Sequence, residues 1–282
     1  MAKAYHPAFT SPRVIRLTNW AHTLRALAVG SPGLLLNPLN WLALCRALYV
    51  FENPVQFLHA VARKTAPESV VVRSPTGPLR VSLRNFESLR TLFSIFCRLD
   101  YQTEHNEVNL FLDVGANVGI ASLYFLSRNR QNTVAGYEPD AANLEYLRRN
   151  LQGFGARAAI HACAVGVGSE NAVLYRSPDG KYSSLLASGR AVFPQPVATR
   201  AFGEVLQQAV AGSLPVVVKL DVEGMEEALV GSIRFENYPG VRRLISESTT
   251  CSSLVSRPHR RTLRSGYVED LRFDQALLQT TA

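Results

Sequence analysis

At 282 residues, 47% of them hydrophobic, the chain is long enough to bury a full core, most simply as one large domain with an N-terminal extension. Thirty Lys+Arg against 22 Asp+Glu leave a formal charge of +8 that would suit an anionic partner, yet the excess forms no run longer than Arg260-Arg261, and a solvated basic surface accounts for it. The four scattered cysteines (Cys45, Cys97, Cys163, Cys251) have no CxxC pairing and no histidine at metal spacing, which argues against a disulfide framework and a structural zinc.

The first thirty residues hold no unbroken apolar core ahead of a small-residue cleavage site, so no secretory signal is expected and the chain reads as cytoplasmic. Residues 1–68 read as a helical extension punctuated by proline. Within it "GLLLNPLNWLALCRALYVF" (33–51) is the nearest approach to a membrane segment, but Asn37, Pro38, Asn40 and Arg46 interrupt it. Spanning is therefore not expected. Two readings stay open: a helix packed on the domain, which is favoured, or one making peripheral contact with a membrane interface.

Residues 69–108 lead into the core. "SVVVRSPTGPLRVSL" (69–83) predicts a hairpin, two β-branched runs flanking the turn chemistry of Pro75-Thr76-Gly77. "FESLRTLFSIFCRL" (86–99) places apolar residues at helical spacing, and Phe93, Phe96 and Tyr101 suit a core better than a base-stacking platform. No nucleic-acid partner is expected.

Residues 109–282 alternate strand and helix: "NLFLDV", "VGIASLYFLSRN", "NTVAGYE", "DAANLEYLRRNLQGF", "RAAIHACAVG", an irregular stretch over 171–198, "AFGEVLQQAV", "PVVVKLD", "EGMEEALVGSI" and "VRRLISES". Such alternation implies βαβ units and a mostly parallel, doubly wound α/β sheet. "LFLDV" and "VVVKL" are near-continuous apolar runs, as expected when helices cover both faces.

In such a sheet the ligand crevice lies beyond the carboxyl ends of the strands. The turn Asp113-Val114-Gly115-Ala116-Asn117-Val118-Gly119 sits there if "NLFLDV" is the first strand. Gly115 permits a tight turn and Gly119 a close approach of the helix, whose N-terminus offers unpaired N–H groups. A dinucleotide site wants G-x-G-x-x-G, but Asn117 and Ile120 stand at the later positions, and no Gly-Lys-Ser/Thr ends the loop as in a P-loop. Asp113 would repel a pyrophosphate but can accept hydrogen bonds from an ammonium group. Glu138, at the end of the next strand, can take both hydroxyls of a ribose. S-adenosylmethionine (SAM) fits both clues.

"FLDVGANVGIASLYF", "GYEPDAANLEYLRRNL", "ACAVG", "GKYSSL" and "VVVKLDVEGMEEALVGS" together resemble the FkbM family of SAM-dependent methyltransferases, over roughly residues 70 to 250. The resemblance implies a Rossmann-like class I methyltransferase fold and O-methylation of a hydroxyl on a sugar, glycan or secondary metabolite. Carried over residue by residue, it makes Asp113, Gly115, Asn117, Gly119 and Glu138 cofactor contacts. The chain departs from the family pattern near Gly203, where relatives carry an Asp, and after Glu247, where they carry a His. The tail beyond residue 250 is short, so incomplete final strands are expected.

"KLDVEGMEE" holds the candidate catalytic residues. Lys219, Asp221 and Glu223 alternate at a strand end and face one crevice if the pleat persists. Asp221 or Glu223 could take the acceptor proton, or help hold a divalent cation that acidifies the hydroxyl; Lys219 could polarise the acceptor oxygen or keep the carboxylates ionised. A plain Lys219–Glu223 pair, with Glu223 capping the next helix, stays open beside this. Glu226 and Glu227 read as helix surface. His161 reads as a core residue, His105 could border the crevice, and Tyr182, Ser183 and Ser184 form a loop that could cover the acceptor. Two other functions stay open: a catalytically silent scaffold of the same fold, and a nicotinamide oxidoreductase, which the spacing at Asn117 and Ile120 disfavours.

Overall fold

A computed structural model describes residues 39–103, 107–176, 183–185 and 193–273. It opens with two helices, α1 (Leu39–Val50) and α2 (Pro54–Arg63). α2 starts where Pro54 brings a preset φ and the Asn53 side chain accepts the Gln56 N–H, and it stops at Lys64 in the left-handed conformation (φ 54°). The predicted hairpin follows as β1 (Ser69–Val72) and β2 (Leu79–Ser82), paired antiparallel. α3 (Phe86–Phe93), capped by the Asn85 side chain, continues through a π-helical turn to Arg98.

The alternating core comprises β3 (Leu110–Val114), α4 (Ile120–Leu126), β4 (Thr133–Tyr137), α5 (Ala141–Leu151) and β5 (Ala158–His161). There follow β6 (Ala164–Gly166), β7 (Ala172–Arg176), β8 (Phe193–Val197), β9 (Thr199–Ala201), α6 (Phe202–Val210), β10 (Val216–Leu220) and α7 (Glu226–Gly231). β11 (Val241–Ser246), β12 (Arg260–Arg264) and β13 (Val268–Arg272) complete it. Seven strands form one sheet in the order β12-β13-β11-β10-β3-β4-β5. The five from β11 to β5 run parallel; β13 and then β12 are antiparallel additions. The chain builds outward from β3 to β5 and then returns to β10 on the other flank of β3. That reversal opens a crevice beyond the carboxyl ends of β3 and β10.

Both faces of the sheet are covered, which is why β3 and β10 are apolar throughout except for Asp113 and Lys219 near their carboxyl ends. Phe111 stacks on Phe125 of α4 with ring centroids 3.6 Å apart. The same cluster holds Ala43, Ala47 and Phe51, so α1 packs on the domain. Leu112, Val114, Val218 and Leu220 cluster on the opposite face with Phe202, Val205 and Leu206 of α6 and Leu229 and Val230 of α7. Residues 33–38 of the 33–51 stretch lie outside the described residues.

The structure departs from expectation twice. The run 157–166 is not one strand: β5 stays in the sheet, while β6 leaves it and pairs in parallel with β9. A Cβ on Gly166 would lie 2.7 Å from the Thr199 side chain, so this pairing needs a residue without one. The final strands, expected to be incomplete, are both present, because their charges pair with each other inside the fold. Asp270 is fully buried and accepts from Arg243 Nε and Nη2 at 2.7 and 2.9 Å and from Arg264 Nε at 3.0 Å. Burial alone would push its carboxyl up, but the Arg243 and Arg264 guanidinium groups override it and hold it below the usual range.

Asp270→Asn would leave the buried Arg243 guanidinium without its counter-ion, with an expected loss of about 3–5 kcal/mol. Urea denaturation at neutral pH measures this, and the paired change Arg243→Met with Asp270→Leu should recover most of the loss.

Candidate active site

The turns after β3 and β10 meet at one point. Gly115 has φ +78°, and a Cβ there would lie 1.9 Å from the backbone oxygen of Asp221, so only a hydrogen fits. Two non-glycine residues of these turns are also left-handed, Asn117 at φ 52° and Glu223 at φ 50°. Asparagine tolerates that region; glutamate rarely adopts it, and such a residue persists only where its surroundings impose it. Here the Glu226 carboxylate does so, accepting the Val222 and Gly224 N–H groups, each at 2.9 Å. Glu226 is buried, not the surface residue expected, whereas Glu227 is exposed.

Beneath both turns lies Lys219, opposite Asp113 in the β3–β10 register. Its ammonium donates to the Gly115 carbonyl at 2.6 Å and stands 3.1 Å from Asp113 Oδ1 and 3.2 Å from Asp221 Oδ2. The ammonium thus makes one hydrogen bond and two ion pairs. Burial alone would lower its pKa, but Asp113, Asp221 and Glu247 outweigh that and raise it above the usual lysine range, so the charge is permanent.

Glu138 ends β4, buried at 5% exposure. Its Oε2 accepts the Asn117 N–H and its Oε1 the Asp140 N–H, both at 2.8 Å, and the Asn143 amide adds a contact at 3.4 Å. Burial pushes its pKa up to about 7 against the pull of those bonds. Oε1 thus accepts two donors and Oε2 one, so Oε2 keeps lone-pair capacity for a further donor.

A cavity of ≈ 850 Å³ joins these groups, within the range of ligand sites. Gly115, Asn117, Glu138 and Asn143 line one part of it, and Lys219, Asp221, Glu223 and Glu247 another. Tyr101, 2% exposed, donates to Glu247 Oε1 at 2.8 Å, and burial with the nearby Glu247 and Asp221 charges keeps its hydroxyl protonated. Asp100 on the same wall accepts from Arg98, from Tyr267 at 2.7 Å and from Ser265. Ser184 closes another side: it bridges to Tyr175 and donates to the Glu223 carbonyl at 2.7 Å.

Of the five expected cofactor contacts, Gly115, Asn117 and Glu138 line the cavity. Asp113 does not: fully buried under the turn, it accepts from Ser122 Oγ at 2.6 Å and pairs with Lys219, so its carboxylate is spent inside the fold. Gly119 does not either. With φ +84° and a Cβ position 2.6 Å from Leu147 Cδ1, it lets α4 meet α5 closely. Lys219, Asp221 and Glu223 all reach the wall, with the Lys219 ammonium hydrogen-bonded to the Gly115 carbonyl and ion-paired with Asp113 and Asp221. His161 stacks at 4.4 Å on Tyr137, which lines the cavity, and does not line it itself. His105 and Tyr182 lie outside the described residues. Tyr101, Asn143 and the Tyr101–Glu247 bond were not anticipated; only the retained Glu247 was noticed in the sequence. Among the described residues no group of three or more His, Cys, Asp or Glu could hold a metal ion.

Gly115→Ala is expected to destabilise the fold by at least roughly 1–3 kcal/mol, because the new methyl group clashes with the Asp221 carbonyl and alanine is strained at this φ. Urea denaturation at neutral pH checks this.

Residues 113–241 match the family described as the methyltransferase FkbM domain, a narrower span than the 70–250 of the sequence resemblance. No curated protein matches the chain. Among solved structures it is similar to a methyltransferase FkbM from Methylobacillus flagellatus KT, at 14% identity over 83% of this chain and 59% of that one, with a TM-score of 0.42. The chain thus covers under two thirds of that protein's length. It is also similar to a methyltransferase from Geobacter sulfurreducens (15% identity, 69% of this chain, 81% of that one, TM-score 0.35). A third is the Pyrococcus abyssi tRNA (uracil-54, C5)-methyltransferase in complex with S-adenosyl-L-homocysteine (15%, 73%, 44%, TM-score 0.35). The matched segment runs from the end of β3 to the start of β11 and contains the glycine turn, Glu138 and the Lys219–Glu223 turn: on a mostly parallel α/β sheet, residues 113–241 of this chain are similar to the methyltransferase FkbM domain.

Proposed function

We propose that the protein transfers the methyl group of SAM to a hydroxyl oxygen of a sugar, glycan or other secondary metabolite, in the cytoplasm. The observation that carries this reading is the buried Glu138 carboxylate on the cavity wall beside the Gly115 turn, with Oε2 left able to accept a hydroxyl donor. Glu138 and Asn117 would hold the adenosine part. SAM supplies a methyl group on a cationic sulfur. The excess negative charge of Asp113 and Asp221 over Lys219 suits a cation better than a phosphate.

Methyl transfer to oxygen demands alignment of the acceptor and removal of its proton. Asp221, with 27% of its side chain exposed at the cavity, is the residue assigned to receive that proton. Lys219 fixes its position from behind. Glu223 and Glu247 flank the same space, where a hydroxyl-rich acceptor finds several oxygens to donate to. The tyrosine hydroxyl of Tyr101 orients Glu247.

Titration of S-adenosylhomocysteine should show binding that Glu138→Ala weakens by about 1.5–3 kcal/mol, roughly tenfold to a hundredfold. Hydroxyl donors favour the ionised carboxylate, so wild-type affinity should fall about tenfold per unit as pH drops below about 7, where protonation of Glu138 competes, and Glu138→Gln should abolish that dependence. A folded protein that binds no S-adenosylhomocysteine overturns the assignment. With labelled SAM and a hydroxylated glycan pool, Asp221→Asn should lose about a hundredfold or more of methyl transfer while keeping its cofactor affinity, since general-base removal is worth 10²–10⁴.

A further inference from the structure

α1 is apolar on both sides. Its inner side, Ala43 and Ala47, is wholly buried. Its outer side carries Trp41, Leu42, Cys45, Leu48 and Tyr49, spaced i, i+1, i+4, i+7, i+8, which makes one stripe along the helix. Trp41 is 63% exposed, Leu42 66%, Leu48 48% and Tyr49 74%. The other exposed large apolar side chains among the described residues, such as Val167, Leu254 and Leu263, are spread over distant strands and loops.

Charge identifies the partner. Lys3, Arg13, Arg16, Arg25 and Arg46 fall in the first 51 residues, and no Asp or Glu does; the first acidic residue is Glu52, just past the helix. Arg46 is exposed at the edge of the stripe. Arg73 flanks its far end, donating to the Tyr49 carbonyl, with its guanidinium 5.9 Å from the Tyr49 ring centroid.

We propose that this face of α1 docks on an anionic lipid bilayer. Trp and Tyr rings favour the headgroup level, leucines the acyl boundary, and arginines the anionic headgroups. A second copy would set one positive rim against another, and a nucleic acid offers nothing to the leucines. The 12-residue helix is about 18 Å long, which lets it lie in an interface but not cross one. No helix among the described residues is long and apolar enough to span. The inference is independent of the reaction catalysed.

The chain has two tryptophans, so Trp20→Phe in the full-length protein leaves Trp41 as the sole reporter. Vesicles of phosphatidylcholine with about 30% phosphatidylglycerol should shift its emission to the blue, brominated acyl chains should quench it, and salt should weaken both effects. Leu42→Ser with Tyr49→Ser should lower the apparent vesicle affinity at least about tenfold. Unchanged S-adenosylhomocysteine binding and circular dichroism would show that this variant is folded. Any of three results overturns the proposal: no response to vesicles, equal response to pure phosphatidylcholine, or a Trp41 emission already blue in buffer and unmoved by lipid. Concentration-dependent self-association that the double serine variant abolishes would assign the face to a second copy instead.

Discussion

One ammonium group holds the crevice together. Lys219 sits where β3 and β10 run side by side, and its ammonium pairs with Asp113 on β3 and with Asp221 just past β10 while donating to a carbonyl of the glycine turn. A lysine so deeply buried would ordinarily surrender its proton; two carboxylates within 3.2 Å prevent that. The hub fixes both turns in relation to each other and leaves the local charge at minus one. A phosphate would meet repulsion there, which separates this glycine turn from nucleotide-phosphate loops despite their shared reliance on left-handed backbone.

Around that hub the cavity is assembled from distant parts of the chain. The Gly115 and Glu138 side comes from consecutive βα turns. The other side brings Asp100 and Tyr101, ahead of the sheet, against Glu247 after β11 and Tyr267 in the last hairpin. That half of the cavity is therefore built by segments attached to the sheet rather than by the sheet itself.

What the sequence disclosed follows from this arrangement. Strand–helix alternation, the glycine spacing and the strand-end Glu138 are local properties, set by backbone conformation and side-chain period, and they were legible. The burial of Asp113 was not, because it depends on Lys219, 106 positions further on and brought alongside only by sheet order. Glu226 looked like the exposed start of a helix; its task appears once the left-handed Glu223 is known to leave two N–H groups needing an acceptor. Arg260, Arg261, Arg264, Glu269 and Asp270 obscured the last two strands, since charges that pair across a hairpin mimic a solvated tail. Tyr101 and Glu247 stand 146 residues apart, beyond the reach of any periodicity.

The contact between Gly115 and the Asp221 carbonyl couples the two turns mechanically. Because the gap admits a hydrogen and nothing larger, neither turn can shift toward the other without displacing it. Two segments far apart in the chain thus behave as a single rigid seat at the mouth of the sheet.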